Sequence, residues 1–185
     1  MSRRNVCAVI GLLLASAGAG SADDAMPMTP DSRKAYLVVG ATVRPAENAQ
    51  PRWIHLVRQS GIRLAGSEDL STDMAIFELS PARYNIRELN FRDNPNSSVD
   101  VRRFRNLPYV TLEAGRIHYY GGLVLDESGT DPRVYTEFDA ELHRRACDQA
   151  PLVFAMFEME WLFPDIQPAD EQPGCGVSAR PPVPR

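Results

Sequence analysis

The segment Ala114–Asp126, with the sequence AGRIHYYGGLVLD, restricts the possible folds of this chain more than any other. Apolar and aromatic residues fill both sides of its alternation, which is typical of an inner strand covered on two faces. A regular strand would place Ile117, Tyr119, Leu123 and Leu125 on one face and His118, Tyr120 and Val124 on the other. The segment follows the apolar run Tyr109–Leu112, and Gly115 can adopt the positive φ of a tight turn. The sequence therefore predicts a β-hairpin around Ala114 and Gly115.

Further segments rich in β-branched and aromatic residues predict additional strands, because Pro, Gly and Asn-rich loops separate them. The clearest are Lys34–Val43, Trp53–Val57, Met74–Leu79 and Tyr84–Phe91, and shorter ones are Ile62–Leu64, Val99–Phe104 and Val134–Thr136. Within Tyr84–Phe91 the alternation slips by one residue near Arg87 and Glu88, which predicts a β-bulge.

Beyond the central strand the periodicity changes to that of a helix. Apolar residues recur at i, i+4 and i+8 in Glu137–Gln149, namely Phe138, Leu142 and Ala146. The apolar run Leu152–Phe163 fits a helix or a strand, and we favour a helix. The sequence thus predicts a mostly β fold, an antiparallel β-sandwich of about seven strands with a C-terminal helical segment. One domain would span residues 34–163.

The N-terminus has the pattern of a signal peptide. Two arginines precede the apolar run Val6–Ala15, and Gly20-Ser21-Ala22 fits the small-residue rule for cleavage. This run is too short for a permanent membrane span. Residues 1–22 are therefore predicted to be removed, giving a periplasmic or secreted protein without a transmembrane segment. A twin-arginine signal would carry Phe-Leu in place of Val6-Cys7, and a lipid anchor would need its cysteine at the end of the run.

Removal of the signal would leave 163 of the 185 residues, and its two arginines would take the net charge from −4 to −6. An acidic chain is a poor match for nucleic acid or an anionic membrane surface. Residues 23–33 are predicted to be a flexible leader, since they carry two prolines and no periodicity. Residues 164–185 form a proline-rich tail.

Two cysteines, Cys147 and Cys175, would remain in the mature chain. An even number in an oxidising compartment predicts one disulfide, which would tie the tail to the domain through a loop of about 29 residues. A metal or redox pair would favour closer spacing, such as C-x-x-C.

Three short motifs carry a resemblance to a known group of proteins. They are Phe77-Glu78-Leu79-Ser80-Pro81, Tyr84-Asn85-Ile86 and Ala114-Gly115-Arg116-Ile117-His118-Tyr119-Tyr120. In this order they resemble small bacterial envelope proteins of unknown function, whose domain is similar to the transthyretin-like or carboxypeptidase-regulatory-like β-sandwich. The resemblance covers Met74–Leu125 and implies the sandwich more than any shared role.

Candidate catalytic residues are few. None of the three histidines has a second histidine or an acid at metal-ligand spacing. His118 beside Tyr120 is the most suggestive, although packing on a sheet face is the simpler interpretation. His143 is predicted to lie on the solvated face of its helix. No G-x-S-x-G motif is present, and no cofactor is predicted.

Acidic residues offer two weaker signals. The loop from Asp126 to Asp131 has several oxygens that could bind Ca²⁺ weakly, although a solvated turn is the simpler interpretation. Glu158 and Glu160 interrupt the last apolar run, and they would share a face only on a strand. That run's aromatic and methionine residues suit core packing or a docking surface.

Two functions follow from these residues. The first is an exported non-enzymatic module, structural or protein-binding, in the cell envelope. The alternative is a small hydrolase or metal-dependent enzyme in which His118, Tyr120 and the loop acids Asp126 or Asp131 converge at one end of the sheet.

Overall fold

A computed structural model of the protein describes residues 28–60, 64–70, 73–96 and 98–163, together with Cys175. The predicted signal peptide and most of the predicted leader and tail lie outside these residues. Within them, the strands in chain order are β1 (Ala35–Arg44), β2 (Trp53–Arg58), β3 (Leu64–Asp69), β4 (Met74–Leu79), β5 (Ala82–Asn90), β6 (Val101–Arg103), β7 (Val110–Leu112), β8 (Arg116–Asp126), β9 (Arg133–Glu137) and β10 (Glu158–Trp161). The helices are α1 (Ala140–Gln149) and α2 (Pro151–Met156).

The strands form two five-stranded sheets, which confirms the mostly β sandwich. Sheet A has the order β10-β8-β1-β4, with β9 also paired to β8, and sheet B has the order β3-β2-β5-β6, with β7 also paired to β5. All pairs of sheet B are antiparallel, as predicted. In sheet A, however, β1 and β10 both run parallel to β8. The described strands also outnumber the seven or so that the sequence predicts.

Two apolar layers lie on the two faces of sheet A. Between the sheets, the layer includes Leu37, Phe77, Ile86, Tyr120 and Leu123. On the outer face of sheet A, the helices cover a second layer that includes Tyr36, Tyr119, Leu142, Val153 and Trp161. The central strands of sheet A are thus buried on both faces, as the two-sided apolar pattern of Ala114–Asp126 predicts.

The predicted hairpin around Ala114 and Gly115 is wrong. Strand β7 pairs with β5 in sheet B, whereas β8 lies in sheet A, so the turn carries the chain from one sheet to the other. Gly115 does have the expected positive φ, 69°. Its N–H donates to the carbonyl of Lys34, 2.7 Å away, which fixes the crossing against the start of β1.

The predicted alternation along β8 holds only as far as Tyr120. Val38 pairs with Tyr119 and Val39 with Gly121, so β8 contains one extra residue, and Gly121 has φ 92°. Such a bulge shifts every later side chain to the other face. Leu123 therefore packs between the sheets with Tyr120, not with Tyr119 as predicted.

The other predicted bulge is confirmed. His55 pairs with Glu88 and Leu56 with Ile86, so Arg87 is the extra residue in β5. The strand predicted at Ile62–Leu64 is displaced, because β3 begins at Leu64 and continues to Asp69.

The C-terminal segment matches the prediction in its first half. Helix α1 begins after Asp139, whose carboxylate accepts from the backbone N–H groups of Glu141 and Leu142. The preference for a helix throughout Leu152–Phe163 is wrong, because α2 ends at Met156 and the chain continues as β10. Glu158 and Glu160 consequently share a face of that strand. Among the described residues, no helix is long and apolar enough to cross a membrane.

Candidate functional site

His118 lies fully buried on β8, where it holds the crossing between the two sheets. Its Nε2 accepts a hydrogen bond of 2.8 Å from the backbone N–H of Glu113, the residue that directly follows β7. On the strand, His118 shares its face with Tyr120. The side chain therefore satisfies a backbone donor in the turn that the sequence suggested was a hairpin.

A group of charged residues surrounds the other ring nitrogen of His118. The Nδ1 atom lies 3.7 Å from the Oε2 atom of Glu160, which pairs directly across from His118 on β10. Arg116 lies between the carboxylates of Glu113 and Glu160, at 3.4 Å and 3.5 Å. The distance from Nδ1 to Glu160 exceeds that of a good hydrogen bond, so Glu160 acts on His118 mainly through its negative charge.

Burial lowers the pKa of His118, because a cation in this apolar environment loses its hydration. The neighbouring Glu160 and the backbone of Glu113 oppose that shift without reversing it. The ring is therefore neutral at pH 7, with its Nε2 lone pair engaged by Glu113. A fully buried imidazole in this state has no free lone pair for a substrate proton.

Tyr120, the second residue of the predicted site, is equally inaccessible. Its ring packs edge-on against Phe163, with 4.9 Å between the ring centroids. Burial raises the pKa of Tyr120 to about 12. Among the described residues its hydroxyl has no hydrogen-bond partner. A phenol with this pKa stays protonated at pH 7, and no part of Tyr120 is exposed to solvent.

The loop acids lie at the far end of the same strand. Asp126 lies eight positions after His118 on β8, which corresponds to about 25 Å at the rise of a strand. The Oδ1 atom of Asp126 accepts from the N–H and the hydroxyl of Ser128, at 3.0 Å and 2.6 Å, and these bonds lower the pKa of Asp126. The structure therefore does not bring His118 and Tyr120 together with the loop acids.

A shallow surface recess does bring Asp126 close to Asp131. It is lined by Asp126, Ser128, Gly129, Thr130, Asp131 and Arg133. Glu127, between them in sequence, turns away and pairs with Arg102 at 3.2 Å. The recess thus combines two carboxylates with the guanidinium of Arg133, which competes with any cation for them.

His55 is a second buried histidine with a structural environment. Its Nδ1 atom lies 3.9 Å from the carboxylate of Glu88, which also binds Arg103 at 3.1 Å. Burial lowers the pKa of His55, and Glu88 only partly opposes this. His55 is therefore neutral at pH 7, like His118.

The prediction that His143 lies on a solvated face of its helix is wrong. Only 4% of its surface is exposed, and its ring packs among the rings of Tyr119, Phe154 and Trp161. Helix α1 turns this residue inward because Leu142 and Ala146, its neighbours in the helical stripe, pack on sheet A. His143 is therefore a candidate site residue that was not predicted from the sequence.

The predicted disulfide between Cys147 and Cys175 is present, and it lies directly beside His143. The Nε2 atom of His143 is 3.6 Å from the Sγ atom of Cys147, one helical turn further on. The three donor atoms of His143, Cys147 and Cys175 all lie within 4.8 Å of one another. The spacing H-x-x-x-C in α1 is the sequence signal that could have revealed this cluster.

Comparisons with protein families, with curated proteins and with solved structures found no match to this chain.

Because His118 and His55 are neutral in the folded protein, we predict that its stability falls at mildly acidic pH. Since the folded pKa values of His118 and His55 lie below the ordinary 6.5, the unfolded chain binds more protons as the pH falls through that value. The free energy of unfolding should fall below pH 6.5, by up to about 1.4 kcal/mol per pH unit for each histidine. Urea unfolding between about pH 7.5 and about pH 5 measures the slope.

His118→Gln is the informative variant for this slope, because glutamine removes the titrating group and can still accept from Glu113. It should reduce the slope, and His55→Gln should do the same. A slope that neither substitution changes would refute the assignment.

Tyr120→Phe is expected to leave the free energy of unfolding unchanged or to raise it by about 1 kcal/mol, because it removes a buried hydroxyl without a partner among the described residues. Tyr36→Phe is the matched control. The hydroxyl of Tyr36 accepts from the backbone N–H of Asp31 at 2.6 Å, so its loss should cost about 1 kcal/mol. Equal losses in both variants, measured by urea unfolding, would contradict this expectation.

Proposed function

We propose that this protein is an exported, non-enzymatic β-sandwich module of the cell envelope that binds another protein through helix α2. The observation that carries the proposal is that the candidate catalytic side chains are buried, whereas large apolar side chains of α2 are exposed. The histidine and tyrosine that suggested catalysis lie inside the fold, where they serve packing and backbone hydrogen bonds. Large apolar side chains, by comparison, are presented to solvent on α2.

The binding surface we propose is the α2 ridge, defined as Leu152 and Met156. These side chains are 54% and 65% exposed, and their i, i+4 spacing places them side by side on one face. Val153, on the adjacent face of the helix, is fully buried in the layer on sheet A, so the helix is held firmly. This exposed apolar pair on a firmly packed helix is the surface that we propose the partner covers.

The charges around the α2 ridge define the partner. Glu158, at the start of β10, is exposed close to α2 in the sequence, and Asp148, at the end of α1, is exposed and pairs with Arg144 at 2.8 Å. The whole chain has a net charge of −4, or −6 without residues 1–22. We therefore propose a protein partner with an apolar cleft for leucine and methionine side chains and a basic rim.

Two observations support the exported location. Residues 1–22 have the pattern of a cleavable signal, and the disulfide between Cys147 and Cys175 is typical of an oxidising compartment. The two-sheet architecture is also compatible with the transthyretin-like envelope proteins that the motifs of Met74–Leu125 resemble. The mass of the chain isolated from the envelope fraction tests this location, and we expect it to begin at Asp23.

Met156→Asp should weaken binding strongly, because a carboxylate loses its hydration when it enters an apolar cleft. The mature protein is immobilised and envelope extract of the source organism is applied. A captured protein is then purified and its affinity is measured by calorimetry. We expect a loss of at least about 2 kcal/mol, or thirtyfold, for Met156→Asp.

Val99→Asp is the matched control, because Val99 is 58% exposed and gains the same charge on a different part of the surface. It should bind like the wild type, whereas Leu152→Asp should behave like Met156→Asp. Binding that survives both α2 substitutions, or that Val99→Asp weakens equally, would overturn the proposed surface.

A further inference from the structure

We propose that His143, Cys147 and Cys175 form a binding site for a thiophilic divalent metal ion of the zinc class when their disulfide is reduced. Among the described residues, these three side chains have metal-donor atoms that all lie within 4.8 Å of one another. Cys₂His sets bind zinc in proteins, with the fourth position left for water or a further ligand. The site is independent of the α2 ridge.

The fixed half of the site already has the geometry of a metal centre. With bonds of about 2.05 Å to nitrogen and about 2.3 Å to sulfur, tetrahedral zinc separates the two atoms by about 3.6 Å. The Nε2 atom of His143 and the Sγ atom of Cys147 are 3.6 Å apart. Both residues lie on α1 one turn apart, so the helix itself sets this distance.

The second sulfur needs only a local movement. A disulfide holds its sulfurs about 2 Å apart, whereas two thiolates on one tetrahedral zinc are about 3.8 Å apart. Once the S–S bond is broken, the two sulfurs must separate to about van der Waals contact in any case, close to that value. The Cα atoms of Cys147 and Cys175 are 5.4 Å apart, so side-chain rotation can supply the change.

The surroundings favour a neutral metal complex. His143 and Cys147 are buried, and the rings of Tyr119, Phe154 and Trp161 pack around the imidazole. A dication with two thiolates and a neutral imidazole has no net charge, so burial costs it little. The apolar rings also shield the His143 side of the site from bulk solvent.

The disulfide between Cys147 and Cys175 is reduced by thiol–disulfide exchange. A dithiol reductant attacks the disulfide, its own two sulfurs are oxidised to a disulfide, and Cys147 and Cys175 receive two electrons and two protons. On metal binding the two thiols release those protons, and His143 binds as the neutral ring through Nε2. Disulfide and metal therefore exclude each other, and the oxidised protein holds no metal here.

Cobalt(II) is the probe for the site, since bound thiolates give it intense sulfur-to-metal charge-transfer absorption. The full mature chain is reduced with a phosphine under argon and titrated with Co²⁺, and Zn²⁺ is then added in competition. We expect one Co²⁺ per chain with a charge-transfer band for two thiolates, displaced by one Zn²⁺. The oxidised chain should show no such band, and a reduced chain without it would overturn the proposal.

His143→Gln tests the third ligand, and His55→Gln is the matched control because it replaces another buried histidine, on sheet B. The first should weaken Co²⁺ binding at least about tenfold, and the second should not change it. Equal affinity in His143→Gln and wild type would overturn the role of His143.

X-ray absorption at the zinc edge of the reduced wild-type protein keeps the test decisive if His143→Gln fails to fold. We expect two sulfur ligands at about 2.3 Å and one imidazole nitrogen at about 2.0 Å. A shell without the nitrogen, or with fewer than two sulfurs, would overturn the site.

Discussion

Replacing Phe77 with alanine is expected to lower the free energy of unfolding by about 3–5 kcal/mol, the usual cost of emptying the site of a buried aromatic ring. Phe77 is 1% exposed and lies on β4, facing the layer between the two sheets. Leu37 pairs with it across β1, so the surrounding backbone is held on the central strands and cannot collapse into the cavity. Denaturant unfolding, with the slope m checked for constancy, measures the loss.

Phe91→Ala is the control for Phe77→Ala. Phe91 is only partly buried at the margin of the same layer, so its removal should cost clearly less, about 1–2 kcal/mol. Similar losses for the two phenylalanines would mean that the layer between the sheets does not dominate stability.

Gly66 on β3 faces the ring of Phe77 and provides a second test of the packing around that ring. A Cβ atom at Gly66 would lie 3.0 Å from Cδ1 of the Phe77 ring, closer than carbon atoms pack. Gly66→Ala should therefore destabilise the wild type by about 1–3 kcal/mol and the Phe77→Ala protein by much less. The double-mutant cycle measures this coupling, and strictly additive losses would contradict the contact.

Removing the disulfide is the second substitution for which we expect a large effect. Cys147 and Cys175 are 28 residues apart, and closing a loop of that length restricts the unfolded chain by about 3–4 kcal/mol. The double variant Cys147→Ser and Cys175→Ser should lose that amount in urea unfolding, measured without metal. The loss should be the same with and without a reductant, because the variant has no bond left to reduce.

Reduction of the wild type is the control for the disulfide variant. Without metal it should reproduce the loss, and added Zn²⁺ should restore part of it only in the reduced wild type, since the double variant lacks both thiolates. A double variant as stable as the oxidised wild type would show that the tail is held by other contacts.

The sequence predicted best those elements that local pattern determines. Strand β4 has the predicted bounds Met74–Leu79, because a short apolar run between turn residues has few alternatives. The bulge at Arg87 was visible as a slip in the alternation of β5. Cys147 and Cys175 could be paired because no other pairing was available after removal of the signal.

Partner choice between strands could not be predicted, because it depends on distant residues. The turn at Ala114 and Gly115 fits a hairpin or a crossing between sheets equally well, and β5 decides between them by pairing with β7. Strand β10 forms where the edge of β8 over Arg116–Tyr119 is left open by β9, which pairs only with Gly122–Asp126. Unpaired backbone groups there overrule the helical preference of the apolar run.

The candidate site was misjudged for a related reason. His118 and Tyr120 were correctly placed on the inner strand, but their environment comes from the turn, from β10 and from Phe163. For His143, three polar neighbours in sequence suggested solvent, while the position of Leu142 and Ala146 on the helix indicated the buried side. The two adjacent glycines at Gly121 signalled an interruption in β8 that the analysis of its alternation did not use.

The parallel pairing of β1 with β8 has a consequence for the order in which the chain can fold. Tyr36 pairs with Ile117, so the central strands of sheet A meet only after a long loop between them has closed. Such distant pairing slows folding, because β1 stays without its parallel neighbour until β8 reaches it. The first described strand thus depends on a strand far along the chain, and a chain truncated before Arg116 cannot build its central sheet.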